Sequence, residues 1–302
     1  MSLRISVPDP DWLDRLADLD DVEVVEWDTV GPQPEGRLDL VLWSYTVDPA
    51  GLAAIDPARI GVVQSQALGY DGVADVLPTG GVYANAVGVH EGSTAELALA
   101  LVLAAQRDVD RYARQQVEER WERHWSPGLQ DRRVLLVGVG GIGGELSSRV
   151  QGFGAEVVRV GTRARDDERG HVHATDELPD LLPTADVVVL AVPLTEDTTG
   201  LVDADFLAAL PDGALVVNVS RGKVVVTDAV VAEGGRIRFA SDVFDPEPLP
   251  ADHPLWTTPG VLVTPHVGGL TTTMRSRVER LVRAQVERLR AGQEPADVVV
   301  RT

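Results

Sequence analysis

From Arg132 onward, short runs of apolar and often β-branched residues alternate with amphipathic segments. In chain order these runs are VLLVG, EVVRVG, DVVVLAV, ALVVNVS, IRFASDVF and VLVTPH. Continuous apolar runs are typical of strands buried on both faces, so the alternation predicts a parallel sheet covered by helices. A weaker version of the pattern comes earlier, with RISVP, VEVVEW, LDLVLW and IGVVQS as predicted strands of a second α/β unit.

Two longer segments have apolar residues at helical spacing. Residues 93–121, STAELALALVLAAQRDVDRYARQQVEERW, predict one long connecting helix for which Ser93 or Thr94 is a suitable N-cap. Residues 271–292, TTTMRSRVERLVRAQVERLRAG, predict a helix with Gly292 at its C-cap. We expect this last helix to return the chain to the first domain.

The pattern and the length of 302 residues together predict two domains. The expected fold class is α/β, with a Rossmann-type, doubly wound parallel sheet from residues 97–269. A smaller flavodoxin-like α/β domain is expected from residues 1–96 and 270–302. With 44% hydrophobic and 25% charged residues, the composition is that of an ordinary globular protein.

The composition argues against several function classes. A formal net charge of -20 opposes a phosphate backbone, so nucleic acid is not an expected partner. The lack of cysteine removes disulfides, thiolate nucleophiles and thiolate metal sites, and we expect no metal. No apolar run has the length of a membrane span, and the amino terminus does not resemble a signal peptide, so the expected location is the cytoplasm.

A cluster of glycines follows the first strand of the second domain. Gly138, Gly140 and Gly143 form G-x-G-x-x-G directly after RVLLVG, with Gly141 and Ile142 between them. Such glycines permit a tight turn, let the backbone approach a pyrophosphate and allow close helix packing, while the helix N-terminus offers N–H groups to phosphates. The motif predicts a dinucleotide site, with an ordinary tight turn as the alternative.

The next strand ends without the acid that usually binds the ribose hydroxyls of NAD. Gly161, Thr162 and Arg163 stand there, with Arg165 close behind. A hydroxyl and planar cations suit the oxygens of a 2′-phosphate, so NADP (NADPH) is expected in preference to NAD. Solvated loop residues after a degenerate site are the alternative, and the acids at 166–167 follow slightly later.

Three later strands end in chemically active residues. The segments NVSRGK, SDVFDPEPLP and TPHVGG place Arg221, Glu247 and His266 at strand ends. Ligands bind at the carboxyl edge of such sheets, so we expect the three side chains to converge near the nicotinamide. Taken singly, a turn cap, a solvated acid and a packed histidine are adequate explanations, whereas the combination suits the reduction of a carbonyl.

With these motifs the chain resembles the D-isomer-specific 2-hydroxyacid dehydrogenase family over nearly its whole length. The most specific segments are the glycine loop, AVPLTEDTTGLVDADFLAALPDGALVVNVSRG, ASDVFDPEPLPADHPLW and VLVTPHVGG. The resemblance implies that Arg221 binds the substrate carboxylate and polarises the keto oxygen. It also implies that His266 is the acid/base and that Glu247 pairs with it. A carboxylate beside His266 favours the imidazolium, which suits a proton donor.

The resemblance implies a wider set of binding residues. Asp242 is expected to accept a hydrogen bond from the nicotinamide carboxamide, with a buried acid that structures its own loop as the alternative. Further cofactor contacts are expected at Thr94, Val192, Pro193, Thr199, Val219 and Gly268. In SQALGYDGV, the backbone N–H groups of Ala67, Leu68 and Gly69 are expected to bind the substrate carboxylate, with a simple turn as the alternative.

The expected reaction is the reduction of a small 2-keto acid, of the glyoxylate or hydroxypyruvate type, to the D-2-hydroxy acid. The alternatives are a phosphoglycerate dehydrogenase-like enzyme and a non-catalytic, dinucleotide-sensing protein similar to the corepressors of this fold. No basic residue near Leu68 suggests a phosphate site, which disfavours phosphoglycerate. Glu247 and Gln66 stand where a formate and a phosphite dehydrogenase would carry glutamine and lysine, respectively.

The expected partners are a small-molecule 2-keto or 2-hydroxy acid and, by resemblance, a second copy of the chain. The segment RYARQQVEERWERHW is the expected contact of a homodimer. Its Trp121 and Trp125 are candidate interface anchors, unless they pack on their own domain.

Overall fold

The computed structural model of the protein describes residues 2–302. Contacts divide the chain into two compact units, one ending at His90 and resuming at Thr272, the other running from Glu91 to Thr271. The expected first boundary, between residues 96 and 97, would cut a helix that begins at Glu91. That helix belongs whole to the second unit because it packs on the sheet of that unit.

The strands, in chain order, are β1 (Leu3–Val7), β2 (Val22–Glu26), β3 (Leu38–Leu42), β4 (Ile60–Gln64), β5 (Val82–Ala84), β6 (Arg133–Val137), β7 (Glu156–Gly161), β8 (Arg165–Asp167), β9 (Gly170–Ala174), β10 (Val187–Leu190), β11 (Leu215–Asn218), β12 (Arg238–Ser241), β13 (Val261–Val263) and β14 (Val298–Arg301). The α-helices are α1 (Pro10–Leu16), α2 (Val73–Val76), α3 (Glu91–Gln106), α4 (Val109–Val117), α5 (Gly141–Gln151), α6 (Leu178–Leu181), α7 (Ala204–Ala209), α8 (Thr227–Ala232) and α9 (Met274–Arg290). Every strand predicted from the apolar runs is present, whereas β5, β8, β9 and β14 were not predicted.

The first unit contains a six-stranded sheet in the order β2-β1-β3-β4-β5-β14. The first five strands are parallel and have the flavodoxin-like order, and β14 pairs antiparallel with β5. Helices α1 and α9 cover one face through residues such as Trp12, Leu16 and Val282. As predicted, α9 ends just before Gly292, which has a φ of 67° and donates its N–H to the carbonyl of Leu289.

The second unit contains an eight-stranded sheet in the order β13-β12-β11-β10-β6-β7-β9-β8. Every neighbouring pair is parallel except β8 with β9, and the order is that of a Rossmann sheet. One face packs on α6, α7 and α8, and the other on α3 and α5. The predicted fold class, two α/β units with one Rossmann sheet, is confirmed.

The predicted long helix over residues 93–121 is wrong in two respects. It begins at Glu91, so Ser93 and Thr94 lie in its first turn and are not its N-cap. It also breaks at Asp108, where φ is 52°, and the chain resumes as α4. The break has a tertiary cause, because Arg238 donates to the carbonyl of Ala105 (3.0 Å) and the Gly128 N–H donates to that of Gln106 (3.0 Å). These donors satisfy the last carbonyls of α3.

Within residues 2–302, no helix is both long and apolar enough to cross a membrane.

Candidate active site

The glycine loop joins β6 to α5 and has both tight and open positions. Gly138 has a φ of 107°, and a side chain there would collide with the carbonyl of Ala191. A side chain at Gly143 would collide with the carbonyl of Gly138. In contrast, a Cβ on Gly140 would meet no atom within 4 Å, although this residue directly precedes α5. The open space at a helix N-terminus fits the pyrophosphate of a dinucleotide.

The two residues inside the motif have packing roles. Gly141 lies against the side chain of Glu91, so a larger residue would displace that acid. The Ile142 side chain packs against the core on the α3 and α5 face of the sheet. Only the backbone N–H groups of these two residues are therefore available to bind a phosphate.

The end of β7 presents cations to solvent. Thr162, Arg163 and Arg165 are all exposed, and they follow the buried Gly161. The Arg165 guanidinium folds back, with Nη1 donating to the carbonyl of Arg163 (3.2 Å) and standing 3.4 Å from where a Cβ of Gly161 would be. The arrangement can offer charged donors to a phosphate.

The acids at 166–167 are engaged with other side chains. Asp167 accepts two hydrogen bonds, of 2.7 and 2.5 Å, from the guanidinium of Arg159, which is buried. These bonds, followed by one from the backbone N–H of Arg169, hold the pKa of Asp167 well below its usual range. Asp166 contacts Nδ1 of His171 at 2.9 Å. The ion pair of Arg159 with Asp167 was not predicted from the sequence, where an arginine within the apolar run EVVRVG was the available signal.

Glu247 and His266 form a hydrogen-bonded pair. His266 Nδ1 lies 2.7 Å from Oε2 of Glu247, and the other carboxylate oxygen accepts the N–H of Phe244 (2.8 Å). The bond with Glu247 raises the pKa of His266 against the opposing effect of burial, and the charges of Glu247 and Asp242 add to it. Burial disfavours the charge on Glu247, but the bonds from His266 and Phe244 outweigh it and lower the pKa of the acid. The pair therefore favours imidazolium and carboxylate.

Arg221 follows β11 and acts electrostatically on both members of this pair. Its positive charge lowers the pKa of Glu247 and opposes the rise in the pKa of His266. The backbone carbonyl of Arg221 accepts from Nδ2 of Asn218 (3.0 Å), and its Nη1 donates to the carbonyl of Ser220 (2.7 Å). Arg221, Glu247 and His266 thus come together in the second unit, in segments that follow β11, β12 and β13.

The loop that carries His266 is organised by Asp242. This acid is only 2% exposed, and its Oδ1 accepts from the Thr264 hydroxyl (2.7 Å) and the Val267 N–H (2.9 Å). Its Oδ2 accepts from the N–H of Gly268 (2.8 Å). The contacts therefore show a buried acid that structures its own loop, which was the alternative to a cofactor contact. A hydrogen bond from Asp242 to a cofactor would be additional to these contacts.

Thr94 lies beside the same loop. A Cβ built on Gly268 would lie 3.1 Å from Oδ2 of Asp242 and 3.4 Å from the Thr94 side chain. The three positions expected near the nicotinamide, Thr94, Asp242 and Gly268, are therefore close neighbours.

The remaining expected cofactor residues have varied surroundings. Val192 and Pro193 follow β10, and the carbonyl of Pro193 accepts from the Thr198 hydroxyl (2.7 Å). The Thr199 hydroxyl donates to the carbonyl of Thr195 (2.7 Å), so it can only accept from a ligand. Val219 is buried and its side chain belongs to the core, so only its backbone is available for a contact.

The loop after β4 in the first unit offers two amide donors, not three. The N–H of Ala67 already donates to Oγ of Ser65 (2.9 Å), which corrects the expectation that it binds substrate. A serine hydroxyl that binds the amide two residues later is a common turn device. Among residues 2–302, the amides of Leu68 and Gly69 have no acceptor, and the Leu68 carbonyl is fixed by Nδ2 of Asn85 (2.8 Å).

The arrangement of glycine loop, arginine, acid and histidine agrees with a family model. The model described as "D-isomer specific 2-hydroxyacid dehydrogenase, NAD binding domain" matches residues 99–268. The chain belongs to this family. It is therefore an NAD(P)-dependent D-2-hydroxyacid dehydrogenase/reductase.

Individual members of the dehydrogenase family show the same relationship. The chain is 33% identical to a glyoxylate reductase of Korarchaeum cryptofilum, over 85% of this chain and 82% of that protein. It is 35% identical to a D-3-phosphoglycerate dehydrogenase of Mycobacterium bovis, over 88% of this chain but only 51% of that protein. A D-isomer specific 2-hydroxyacid dehydrogenase from Xanthobacter autotrophicus, solved with NADPH and MES, is 26% identical with a TM-score of 0.83, covering 99% and 98% of the two chains.

Proposed function

We propose that this dehydrogenase reduces a small 2-keto acid of the glyoxylate or hydroxypyruvate type to the D-2-hydroxy acid and prefers NADPH to NADH. The proposal rests mainly on the hydrogen-bonded pair of Glu247 and His266, which the charge of Arg221 affects electrostatically. The pair keeps a proton donor in the neighbourhood of a guanidinium. The glyoxylate reductase relative supports the substrate class. The NADPH-bound relative and the engaged acids after β7 support the cofactor preference.

The cofactor would be held by the second unit. The amides around Gly140 and at the start of α5 would bind the pyrophosphate, and Thr162, Arg163 and Arg165 would bind the 2′-phosphate. Thr94 and Gly268 would lie against the nicotinamide. When bound, the reduced nicotinamide supplies a hydride to the substrate carbonyl carbon.

The residues of the chain supply the other parts of the reaction. Arg221 would bind the substrate carboxylate. Negative charge develops on the keto oxygen during reduction, and the guanidinium of Arg221 and the imidazolium of His266 stabilise it. His266 then gives its proton to that oxygen, while Glu247 keeps the ring oriented and charged in the donor state.

A phosphorylated substrate is the second candidate, since a phosphoglycerate dehydrogenase is among the relatives. The segment SQALGYDGV, which would carry the substrate-binding amides, contains no basic residue. A dianionic phosphate is bound most strongly by cationic donors, so the lack of a basic residue favours an unphosphorylated acid.

We also infer a homodimer built on the segment that follows α4. Trp121 is 93% exposed and Trp125 is fully exposed, so neither packs on its own unit. Large aromatic side chains that are exposed together are typical anchors of protein interfaces.

The test is a turnover assay with purified protein, NADPH or NADH, and a panel of keto acids. The panel contains glyoxylate, hydroxypyruvate, pyruvate, phenylpyruvate, oxaloacetate and 3-phosphohydroxypyruvate, and loss of cofactor absorbance is followed. We expect rapid oxidation of NADPH with glyoxylate or hydroxypyruvate. Faster turnover with NADH contradicts the cofactor assignment, and a preference for the phosphorylated acid contradicts the substrate assignment.

A further inference from the structure

The hairpin of β8 and β9 gathers histidines and acids on the second unit. His171 and His173 are two residues apart on β9, and their rings meet edge to face with centroids 4.6 Å apart. One potential ligand atom from each of His171, His173 and Glu177 lies within 4.8 Å of the other two. In the part of the chain that the structure describes, no other group of three histidine or acidic side chains meets this spacing.

We propose that His171, His173 and Glu177 bind a divalent transition-metal ion of the Zn²⁺ class. Imidazole nitrogens and a carboxylate oxygen are ligands that zinc uses in proteins, and a water molecule would complete four-coordination. The formal net charge of -20 attracts a cation to the surface. The lack of cysteine predicted no metal because it excludes only thiolate ligands, whereas the pattern H-x-H in GHVHA was the available signal for histidine ligands.

The strand geometry explains why the two rings meet. Side chains two residues apart on a strand point to the same face, so His171 and His173 project together. Asp166 is the cross-strand partner of His171 on β8, and its Oδ1 lies 2.9 Å from Nδ1 of that ring. A carboxylate at Nδ1 leaves Nε2 of the neutral ring as the ligand atom, and such carboxylates are the usual orienting partners of metal-bound histidines.

Glu177 supplies an anionic ligand in a fixed position. Its Oε2 lies 2.7 Å from Nδ1 of His173, and its Oε1 accepts the N–H of Ala174 (2.7 Å). A metal ion between His173 and Glu177 replaces the proton of their hydrogen bond.

The cluster is accessible from solvent, and its three ligands are not among the residues assigned to the active site. The side chains of His171, His173 and Glu177 are 50%, 28% and 39% exposed, so an ion can enter from solvent. None of them belongs to the cofactor or substrate residues proposed above. An ion would link β9 to the segment that leads into α6, and its binding would therefore stabilise the second unit.

Equilibrium dialysis of the full chain against Zn²⁺ tests the stoichiometry. We expect the double variant His171→Asn/His173→Asn to bind one equivalent less than the unmodified protein. The matched control His124→Asn removes a histidine outside the cluster and is expected to retain that equivalent. An ion at the Glu247–His266 pair would bind to all three proteins, so only the difference counts. Equal binding by the unmodified protein and the double variant overturns the proposal.

Affinity and ligand chemistry give a second test. Glu177→Gln keeps an oxygen for the Ala174 N–H but loses the charge of a ligand, so it should weaken Zn²⁺ binding by at least the roughly 10- to 100-fold that loss of an outer-shell partner costs. Co²⁺ should give visible absorption bands with the unmodified protein that the double variant lacks. Zn²⁺ should raise the melting temperature of the unmodified protein more than that of the double variant, while turnover without added metal stays the same. Identical Co²⁺ spectra in the two proteins contradict the ligand assignment.

Discussion

The carboxylate of Asp242 holds the loop of His266 in an uncommon conformation. The carbonyl of Asp242 accepts the N–H of His266 (2.8 Å), and its side chain accepts three further hydrogen bonds from residues 264–268. His266 has a φ of 54°, in the left-handed region that non-glycine residues avoid at a cost of roughly 1–2 kcal/mol. Asp242 therefore positions the proton donor by offsetting that cost.

We expect Asp242→Asn to lower both stability and turnover. An amide nitrogen cannot accept the N–H of Val267 or Gly268, and a buried N–H left without an acceptor costs about 1–3 kcal/mol. Denaturant unfolding and kcat measure the two effects. Glu26→Gln, a change at an exposed acid of the edge strand β2, is the control and should leave both unchanged. An Asp242→Asn protein with full turnover would show that the loop does not depend on this acid.

Removal of the carboxylate next to His266 should shift the pH profile of keto-acid reduction. Because the bond with Glu247 raises the pKa of His266 above its ordinary 6.5, reduction should persist to a higher pH and decline as the pH rises through that pKa. In Glu247→Gln the pKa of His266 falls, so the decline should move to lower pH. The measurement is kcat/KM against pH.

The chain contains a matched control for that experiment. Glu177 contacts His173 at 2.7 Å, the same distance as in the active-site pair, but it lies in the metal-ligand cluster proposed above. Glu177→Gln should leave the profile unchanged. A shift of equal size in both variants would mean that the profile does not report the ionisation of His266.

Turnover should depend on both Arg221 and His266 while cofactor binding does not. Loss of a positioned general acid typically costs 10²–10⁴-fold, and loss of a group that stabilises transition-state charge costs about 10²–10³-fold. We expect losses of these sizes in kcat/KM for His266→Gln and Arg221→Ala. NADPH affinity, measured by calorimetry, should stay within a few-fold of the unmodified value. Full activity of either variant refutes its role.

The cofactor preference should depend on the arginines after β7. Replacing Arg163 or Arg165 with alanine removes a charge-assisted hydrogen bond to a 2′-phosphate, worth about 1.5–3 kcal/mol. The KM for NADPH should therefore rise roughly tenfold or more, and the KM for NADH should stay the same. Arg280→Ala, at an exposed position of α9, serves as the control. Equal changes in the two KM values would mean that these side chains do not contact the 2′-phosphate.

The exposed tryptophans should hold the homodimer together. Truncation of an interface anchor typically costs about 2 kcal/mol or more, so Trp121→Ala and Trp125→Ala should each weaken dimerisation by more than tenfold. Light scattering over a dilution series measures this constant. Trp256→Ala, at a half-exposed tryptophan whose Nε1 donates to the carbonyl of Pro250 (2.8 Å), is the control. A monomer at all concentrations, or a dimer unaffected by both changes, contradicts the proposed interface.

The sequence by itself determined the elements whose signals are local. Continuous apolar runs identify strands such as β10 and β11 because both faces of those strands are buried. The glycine loop was predictable because the close approach of Gly138 and Gly143 to backbone carbonyls admits no side chain. The convergence of Arg221, Glu247 and His266 was also predictable from the chain, because each follows a strand at the carboxyl edge of one parallel sheet, whereas their catalytic roles stay predictions.

Tertiary structure decided the features that depend on partners distant in sequence. Helix α3 stops at Gln106 because Arg238 and Gly128 satisfy its last carbonyls, although its pattern continues. Asp242 accepts hydrogen bonds from a loop more than twenty residues later, and no local sequence pattern predicts these bonds. A donor or acceptor forms its hydrogen bond with whichever group the fold brings within about 3 Å. Residue type therefore revealed which chemistry the chain could perform, and only the packed chain revealed which donors and acceptors remained available for it.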